Sequence, residues 1–418
     1  MRILCLLPFL PYPLHRGTNQ RVFHLLKGLS EEHTLTGLVM VHRQGVMHHE
    51  NPDEALQHLA PLFESLTPVS VQLNDWQPLW QRWWKSRPAT LEHWRIPEFA
   101  QQVDHALNTQ HYDAIYCEDL CMAQYLLKYL KHAEGKISSI PVIIDRNRVD
   151  AAYHEEKAPY LPFYQRLSHQ ENLSKMKHME KRMLQAFPHQ VVCSTEDLQY
   201  LQQLSEADQV RVIGNGFDAK TFQPVHKVRS QTPVLCFTGA MDYPPNVDAM
   251  HWFFKAIYPR LQRQWKSFKV QVVGIRPLPE IQAYAELPGV EVTGKVPDIA
   301  PYYAQCDIYI APVRIGGGTR LKLIEAMACK APLVTTSTAA QGLGLSEKEA
   351  WFAEDAEAFT AAIVQAWENP DEARERAERA HAYVHEHLTW QTLGAQLAQR
   401  VASCAASAAS TRGRTVSR

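Results

Sequence analysis

IYIAPVRIGGGTRLKLIEAMACKAPL, residues Ile308–Leu333, is the stretch from which the fold can be read. Ile308 to Val313 is a short apolar run of the kind that forms a buried parallel strand. Gly316, Gly317 and Gly318 follow, with Thr319 placed as an N-cap. Arg320 to Lys330 then reads as a helix, with Leu321, Ile324, Met327 and Ala328 at helical spacing and Pro332 ending it. Strand, glycine loop and helix start together present free backbone N–H groups and a positive dipole end to an anion. Arg320 and Lys322 put two cations in the first turn, where they oppose that dipole, and a bound diphosphate would account for them. The competing reading is a structural glycine turn with two solvated cations.

Working outward, the chain has 418 residues, 45% of them hydrophobic and 21% charged, which suits a globular protein of two domains. A net charge of −1 gives no general attraction to nucleic acid or anionic lipid. The eight cysteines are scattered and sit mostly in apolar runs, as reduced core residues of a cytoplasmic protein would. Cys117 and Cys121 are the only close pair and make a poor zinc site without a second pair. The opening MRILCLLPFLPYPLHRG is broken by Pro8, Pro11 and Pro13 and lacks a cleavage site, so it does not read as a signal peptide.

Arg2–Leu7 reads as a strand, the prolines as a loop ending at Gly17, and Thr18 or Asn19 as the cap of a helix through Val22, Leu25, Leu26 and Leu29. Further strands are expected at Leu35–Val41, Pro68–Leu73, Tyr112–Cys117, Ile140–Ile144, Gln190–Ser194 and Val210–Ile213, alternating with helices. Residues 44–60 have no clear assignment. Asp145, Arg146, Asn147, Arg148 and Asp150 follow a strand's carboxyl end, where functional groups collect in such folds. Asp145 and His154 are candidates for orienting an acceptor, though each also reads as a structural polar residue. Trp76, Trp80 and Trp84 form one stripe if helical: either a surface for the membrane or a lipid-linked acceptor, or a helix packed on the protein's own core.

Residues 1–216 therefore read as one doubly wound, parallel-sheet α/β domain. Residues 223–232 resemble a linker. Alternation resumes at Val234 and runs to residue 388, with loops after FTGA at 237–240, at TGKV 293–296, and at the quoted glycines. Trp390–Ala402 reads as a last helix, suited to packing back on the first domain, and 403–418 as a disordered tail.

Two Rossmann-like domains with a glycine–basic loop in the second resemble the GT-B arrangement, in which the domains face a central cleft. The motifs are similar to those of retaining glycosyltransferases of family 4. NGFDAKTFQP at 215–224 resembles that family's interdomain signature, TGKV its base-contacting turn and EAMACKAPLVTT at 325–336 its E-A-(M/L)-A segment. FTGAMDYPPN is similar to a branch active in exopolysaccharide and cell-surface glycan synthesis. The resemblance implies that Glu325 holds the donor ribose and that Gly294, Lys295 and Val296 contact the base. Gly316–Thr319 would offer N–H groups to the diphosphate, with Gly239 beside it and Gly17 under the diphosphate or acceptor. Arg320 and Lys322 would neutralise the leaving group, so no metal or cofactor is required. Where the family often has a sugar-contacting glutamate this chain has Gly317, and Met241 and Asp242 stand where many members carry cations.

The expected reaction moves a hexosyl unit from a nucleotide diphosphate sugar to a glycan or lipid-linked acceptor with retention, the leaving phosphate itself taking the acceptor proton. The expected setting is the cytoplasm or the inner face of the membrane, with no nucleic-acid partner. A GT-B sugar-nucleotide epimerase and a non-catalytic nucleotide-sugar-binding subunit of a membrane-associated complex are the alternatives.

Overall fold

The computed structural model describes residues 1–14, 16–42, 51–72, 88–130, 140–158, 163–226, 229–316 and 319–416. The chain divides into two compact units, Met1–Ile213 with Leu393–Arg418, and Gly214–Thr392. The Trp76–Trp84 stripe lies outside the described residues.

In the first unit the strands are β1 (Arg2–Leu7), β2 (Thr34–His42), β3 (Ser65–Val71), β4 (Ala114–Glu118), β5 (Val142–Arg146), β6 (Gln190–Val192) and β7 (Arg211–Val212). They lie in the order β3-β2-β1-β4-β5-β6-β7, and every described pairing is parallel. The second unit holds β8 (Val234–Thr238), β9 (Lys269–Val273), β10 (Val290–Gly294), β11 (Ile308–Ala311), β12 (Leu333–Thr335) and β13 (Trp351–Phe352). Their order is β10-β9-β8-β11-β12-β13, again parallel throughout. Helices cover such sheets on both faces, which is why β4 and β11 are buried along their whole length and read as apolar runs, β4 up to Glu118. In each sheet the strand order reverses once, between β1 and β4 and between β8 and β11. Loops leaving those neighbouring strands diverge, and the gap at their carboxyl ends is where this architecture takes ligands.

Several expectations are corrected. Residues 52–59 of the unassigned stretch form a helix, Pro52–Leu59, capped by the Asn51 side chain accepting from Glu54 N–H. The first long helix is Gly17–Glu32, and its N-cap is Arg16, with no side-chain capping bond. Asn19 and Gln20 instead donate backwards, to the carbonyls of Pro13 and Leu14, and so tie the proline loop to the helix. The last helix runs Trp390–Val416, so the segment from 403 expected to be disordered is helical through 416. Among the described residues no helix is long and apolar enough to cross a membrane.

That last helix is held by a backbone contact. A Cβ added at Gly28 would lie 2.4 Å from the Gly394 Cα, and one added at Gly394 would lie 2.9 Å from the Gly28 Cα. Arg400 reinforces the docking by donating to the Gln209 carbonyl at 2.6 Å. Alanine favours a helix over glycine by about 1 kcal/mol, but overpacking against backbone costs about 1–3 kcal/mol. Gly28→Ala is therefore expected to lower the melting temperature by several degrees; an unchanged or raised value in a thermal melt would contradict this packing.

Candidate functional site

At the second reversal point the loops after β8 and β11 meet. The loop after β11 is anchored by Arg314, which donates to both carboxylate oxygens of Asp248 at 2.7 and 3.1 Å. Gly316 sits at φ +94, a conformation that favours glycine, and a Cβ there would approach Pro245 Cγ to 3.1 Å. The helix that follows is Leu321–Ala328, shorter than expected. Arg320, not Thr319, occupies the N-cap, again without a side-chain cap, and the Leu323 N–H closes onto the Arg320 carbonyl at 3.0 Å. Gly317 and Gly318 lie outside the described residues. The Arg320 guanidinium folds back on its own loop and donates to the carbonyls of Ile315 and Gly316.

Lys322 turns toward the end of β8. Its ammonium donates to Asn246 Oδ1 at 2.8 Å and lies 4.1 Å from the centre of the Phe237 ring. The Asn246 amide is oriented by its second bond, to the Ala240 carbonyl at 2.9 Å. Burial pushes the lysine well below its usual range, and nearby Arg320 pushes the same way, with Glu325 opposing. Glu325, one turn further along the helix, is 8% exposed and accepts a 2.6 Å hydrogen bond from the Tyr303 hydroxyl. Burial raises its carboxyl, while Tyr303 and Lys322 hold it down. Gly294 ends β10 at φ +67, and a Cβ built there meets nothing within 4 Å, so open space lies over that turn. Lys295 beside it is exposed and Val296 half-buried. Thus Gly239, Gly316, Arg320, Lys322 and Glu325 are drawn together around the ends of β8 and β11, and Gly294–Val296 lie at the end of β10.

In the first unit the outcome differs. Asp145, expected to serve an acceptor, is fully buried. β5 extends through Arg146, which draws Asp145 into the sheet. There it accepts from Arg21 Nε and Nη2, at 3.2 and 2.5 Å, and from the Tyr116 hydroxyl at 3.0 Å. Arg21 also donates to the Ile213 carbonyl at 2.9 Å. Removing one partner of such a pair strands a buried charge, at a cost of about 3–5 kcal/mol. Asp145 is therefore committed to this pair and closed off from solvent. Arg146 is likewise committed, to Glu180 at 2.5 and 2.7 Å. His154 lies half-buried on the helix Asp150–Lys157, its ring 5.4 Å from that of His169. Gly17 is the first helical residue after the loop that leaves β1.

The residue that the sequence did not single out is Asp119. It follows β4, at the reversal point of the first sheet, with φ +66 and ψ 168, a region almost reserved for glycine. Its half-buried carboxyl is raised to about 7 by burial and by Asp150, against the opposing pull of Arg146 and the Leu120 N–H. Glu118 beside it is pushed up as well, by burial first and then by Asp145 and Asp119. The only signal available in the sequence was an acidic pair ending a strand.

Residues 232–369 match the family described as glycosyl transferases group 1. The group 1 match thus spans β8 to the helix after β13 and contains the whole constellation around Lys322. Among curated proteins no match is found. Sucrose-phosphate synthase from Thermosynechococcus elongatus superposes with a TM-score of 0.68 at 17% identity, covering 97% of this chain and 100% of that one. Anabaena HepE in complex with UDP-glucose gives 0.62 at 16% identity, with 96% and 99% covered. WaaG, a glycosyltransferase involved in lipopolysaccharide biosynthesis, gives 0.62 at 13%, with 96% and 99% covered. These likenesses show that the chain has the GT-B fold.

Asp119 supplies a pH test. With a folded value of about 7 against an ordinary 3.8, it holds its proton more tightly folded than unfolded. Its contribution to stability is thus greatest below the ordinary value and declines as pH rises through the interval to the folded one. Asp119→Asn is expected to match the parent's melting temperature near about pH 4 and to exceed it near about pH 8. A difference independent of pH would contradict the assignment.

Proposed function

We propose that the chain is a retaining glycosyltransferase of family 4, which moves a hexosyl unit from a nucleotide diphosphate sugar to an acceptor hydroxyl. The observation that carries this reading is the pair of cations at the start of the helix Leu321–Ala328, inside the segment matched to glycosyl transferases group 1. Arg320 donates to backbone carbonyls of its own loop, and Lys322 donates to an amide oxygen. Two adjacent cations with burial depressing one of them are stabilised by an anion, and a diphosphate matches both the charge and the helix start.

In this reading Lys322 and Arg320 neutralise charge on the β-phosphate as the glycosidic bond to it breaks. A guanidinium has five N–H donors, so bonds from Nη2 to the loop are compatible with others to phosphate. Glu325 takes the ribose hydroxyls, the Gly294–Val296 turn takes the base, and Gly316–Thr319 offer backbone N–H groups. The leaving phosphate removes the acceptor proton, so neither a strong protein base nor a metal is needed. With Asp145 buried, the acceptor side is reassigned to the edge carrying Gly17 and Asp119, with His154 retained as a candidate. The acceptor class, a glycan or lipid-linked intermediate of exopolysaccharide or cell-surface polysaccharide synthesis, rests on the FTGAMDYPPN stretch. A cytoplasmic setting at or near the inner membrane face follows from that class. HepE shares the fold and has been captured with UDP-glucose, which makes UDP-sugars the first donors to try.

The test is turnover. Release of nucleoside diphosphate from a panel of UDP-, GDP-, ADP- and dTDP-sugars, with and without added glycan acceptors, should identify a donor. Arg320→Ala and Lys322→Ala should each lower kcat by a hundredfold or more, about 3 kcal/mol, with melting temperature retained. Near-normal turnover in both variants would remove this assignment.

A further inference from the structure

Behind Glu325 lies a row of buried hydroxyls. Tyr303 donates to Glu325 Oε2 at 2.6 Å, Thr238 Oγ1 lies 2.6 Å from the Tyr303 hydroxyl, and the Tyr309 hydroxyl lies 2.8 Å from Thr238 Oγ1. Thr238 and Tyr303 are 1% exposed and Tyr309 is 0% exposed. Each hydroxyl has one proton to give. Since the Tyr303 proton goes to the carboxylate, its oxygen must accept from Thr238, and Thr238 must in turn accept from Tyr309. The row therefore runs one way, Tyr309 to Thr238 to Tyr303 to Glu325. The Thr238 backbone N–H closes it by donating to the Tyr309 oxygen at 3.3 Å. Both tyrosines are pushed well above their usual range, chiefly by burial, so they stay protonated donors.

Buried hydroxyls are costly unless satisfied, and an aligned row strengthens each member. A purely structural core could have used phenylalanine and valine here. The row instead originates on β8 and β11, the two strands flanking the reversal point, and delivers its last proton to one oxygen of the carboxylate that faces Lys322's end of the helix. That fixes which Glu325 oxygen takes the bond of the row.

We propose that Tyr309, Thr238 and Tyr303 are positioning residues that hold Glu325 so that its other oxygen receives a ribose diol, which makes the site selective for ribonucleoside over 2′-deoxyribonucleoside diphosphates. This rests on the donor site proposed above and adds to it the device that sets sugar selectivity on the nucleotide side. Tyr303→Phe removes the bond to Oε2 without changing the ring, and the carboxylate is then free to rotate. Thr238→Val breaks the row at its centre, and Thr238→Ser keeps the hydroxyl.

Binding of UDP, GDP and ADP, each beside its 2′-deoxy counterpart, is measured by calorimetry on the parent and the three variants. The parent should prefer the ribo form by tenfold or more, since a hydrogen bond to a charged group supplies a factor of that size. Tyr303→Phe and Thr238→Val should weaken the ribo form more than the deoxy form, which keeps only the 3′-hydroxyl, moving the preference toward unity. Thr238→Ser should restore it. Equal weakening of both forms, or an undiminished preference in a folded Tyr303→Phe, would overturn the relay while leaving the donor site standing. A parent that binds none of the six would overturn both.

Discussion

A Cβ at position 239 would lie 2.6 Å from Asn246 Nδ2 and 2.8 Å from Lys322 Nζ. A side chain there would displace both groups, and φ +150 is a conformation L side chains rarely adopt, so the ammonium of Lys322 sits in space that a glycine leaves open at the end of β8. Gly274 repeats the constraint from the other side, where an added Cβ would fall 1.7 Å from the Gly239 carbonyl oxygen. Bare backbone at the ends of β8 and β9 thus opens the room in which a charged group from the helix Leu321–Ala328 meets the sheet. Once there, the lysine is held by one amide and one aromatic face, beside a second cation. Burial and Arg320 both disfavour its charge, with Glu325 opposing, so added negative charge there would be stabilising, which connects the glycines to the proposed chemistry.

The two units treat buried charge in opposite ways. In the first, cations and carboxylates at the strand ends are matched. Arg21 faces Asp145 and Arg146 faces Glu180, and such closed pairs locate the strands without taking part in reactions. In the second, Arg314 is matched to Asp248, while Lys322 donates to an amide oxygen and Glu325 accepts from a tyrosine. Position at a carboxyl end is therefore a weak guide to function, and the identity of the partner is a stronger one. Asp119 is the exception within the first unit, because its backbone is strained and its carboxyl is held up near neutrality.

The alternation of apolar runs and helical periods made both parallel sheets legible, since buried parallel strands leave little choice of sequence. The glycine loop and the cations at 320 and 322 were equally visible, because backbone exposure and misplaced charge leave marks at fixed spacing, whereas Glu325 was singled out only through the family resemblance. What escaped detection depends on partners distant in sequence. Asp145 read as either an acceptor residue or a structural polar one, because Arg21, 124 positions away, is what closes over it. Thr319 read as a cap because composition cannot show that the helix begins one residue later. The row of hydroxyls behind Glu325 was hidden for the same reason, since Thr238, Tyr303 and Tyr309 are ordinary core residues until the strands pair. The small, polar tail read as disordered, yet alanine- and serine-rich sequence can be helical where the start of its helix is docked, as Gly394 is on Gly28.

The central claim is that a diphosphate rests on Lys322. Amine labelling read by mass spectrometry reports on this directly, with exposed Lys330 as the internal reference. Saturating nucleoside diphosphate should suppress modification of Lys322 and leave Lys330 unchanged. Undiminished labelling of Lys322 by a nucleotide-saturated protein would place the diphosphate elsewhere and contradict the account.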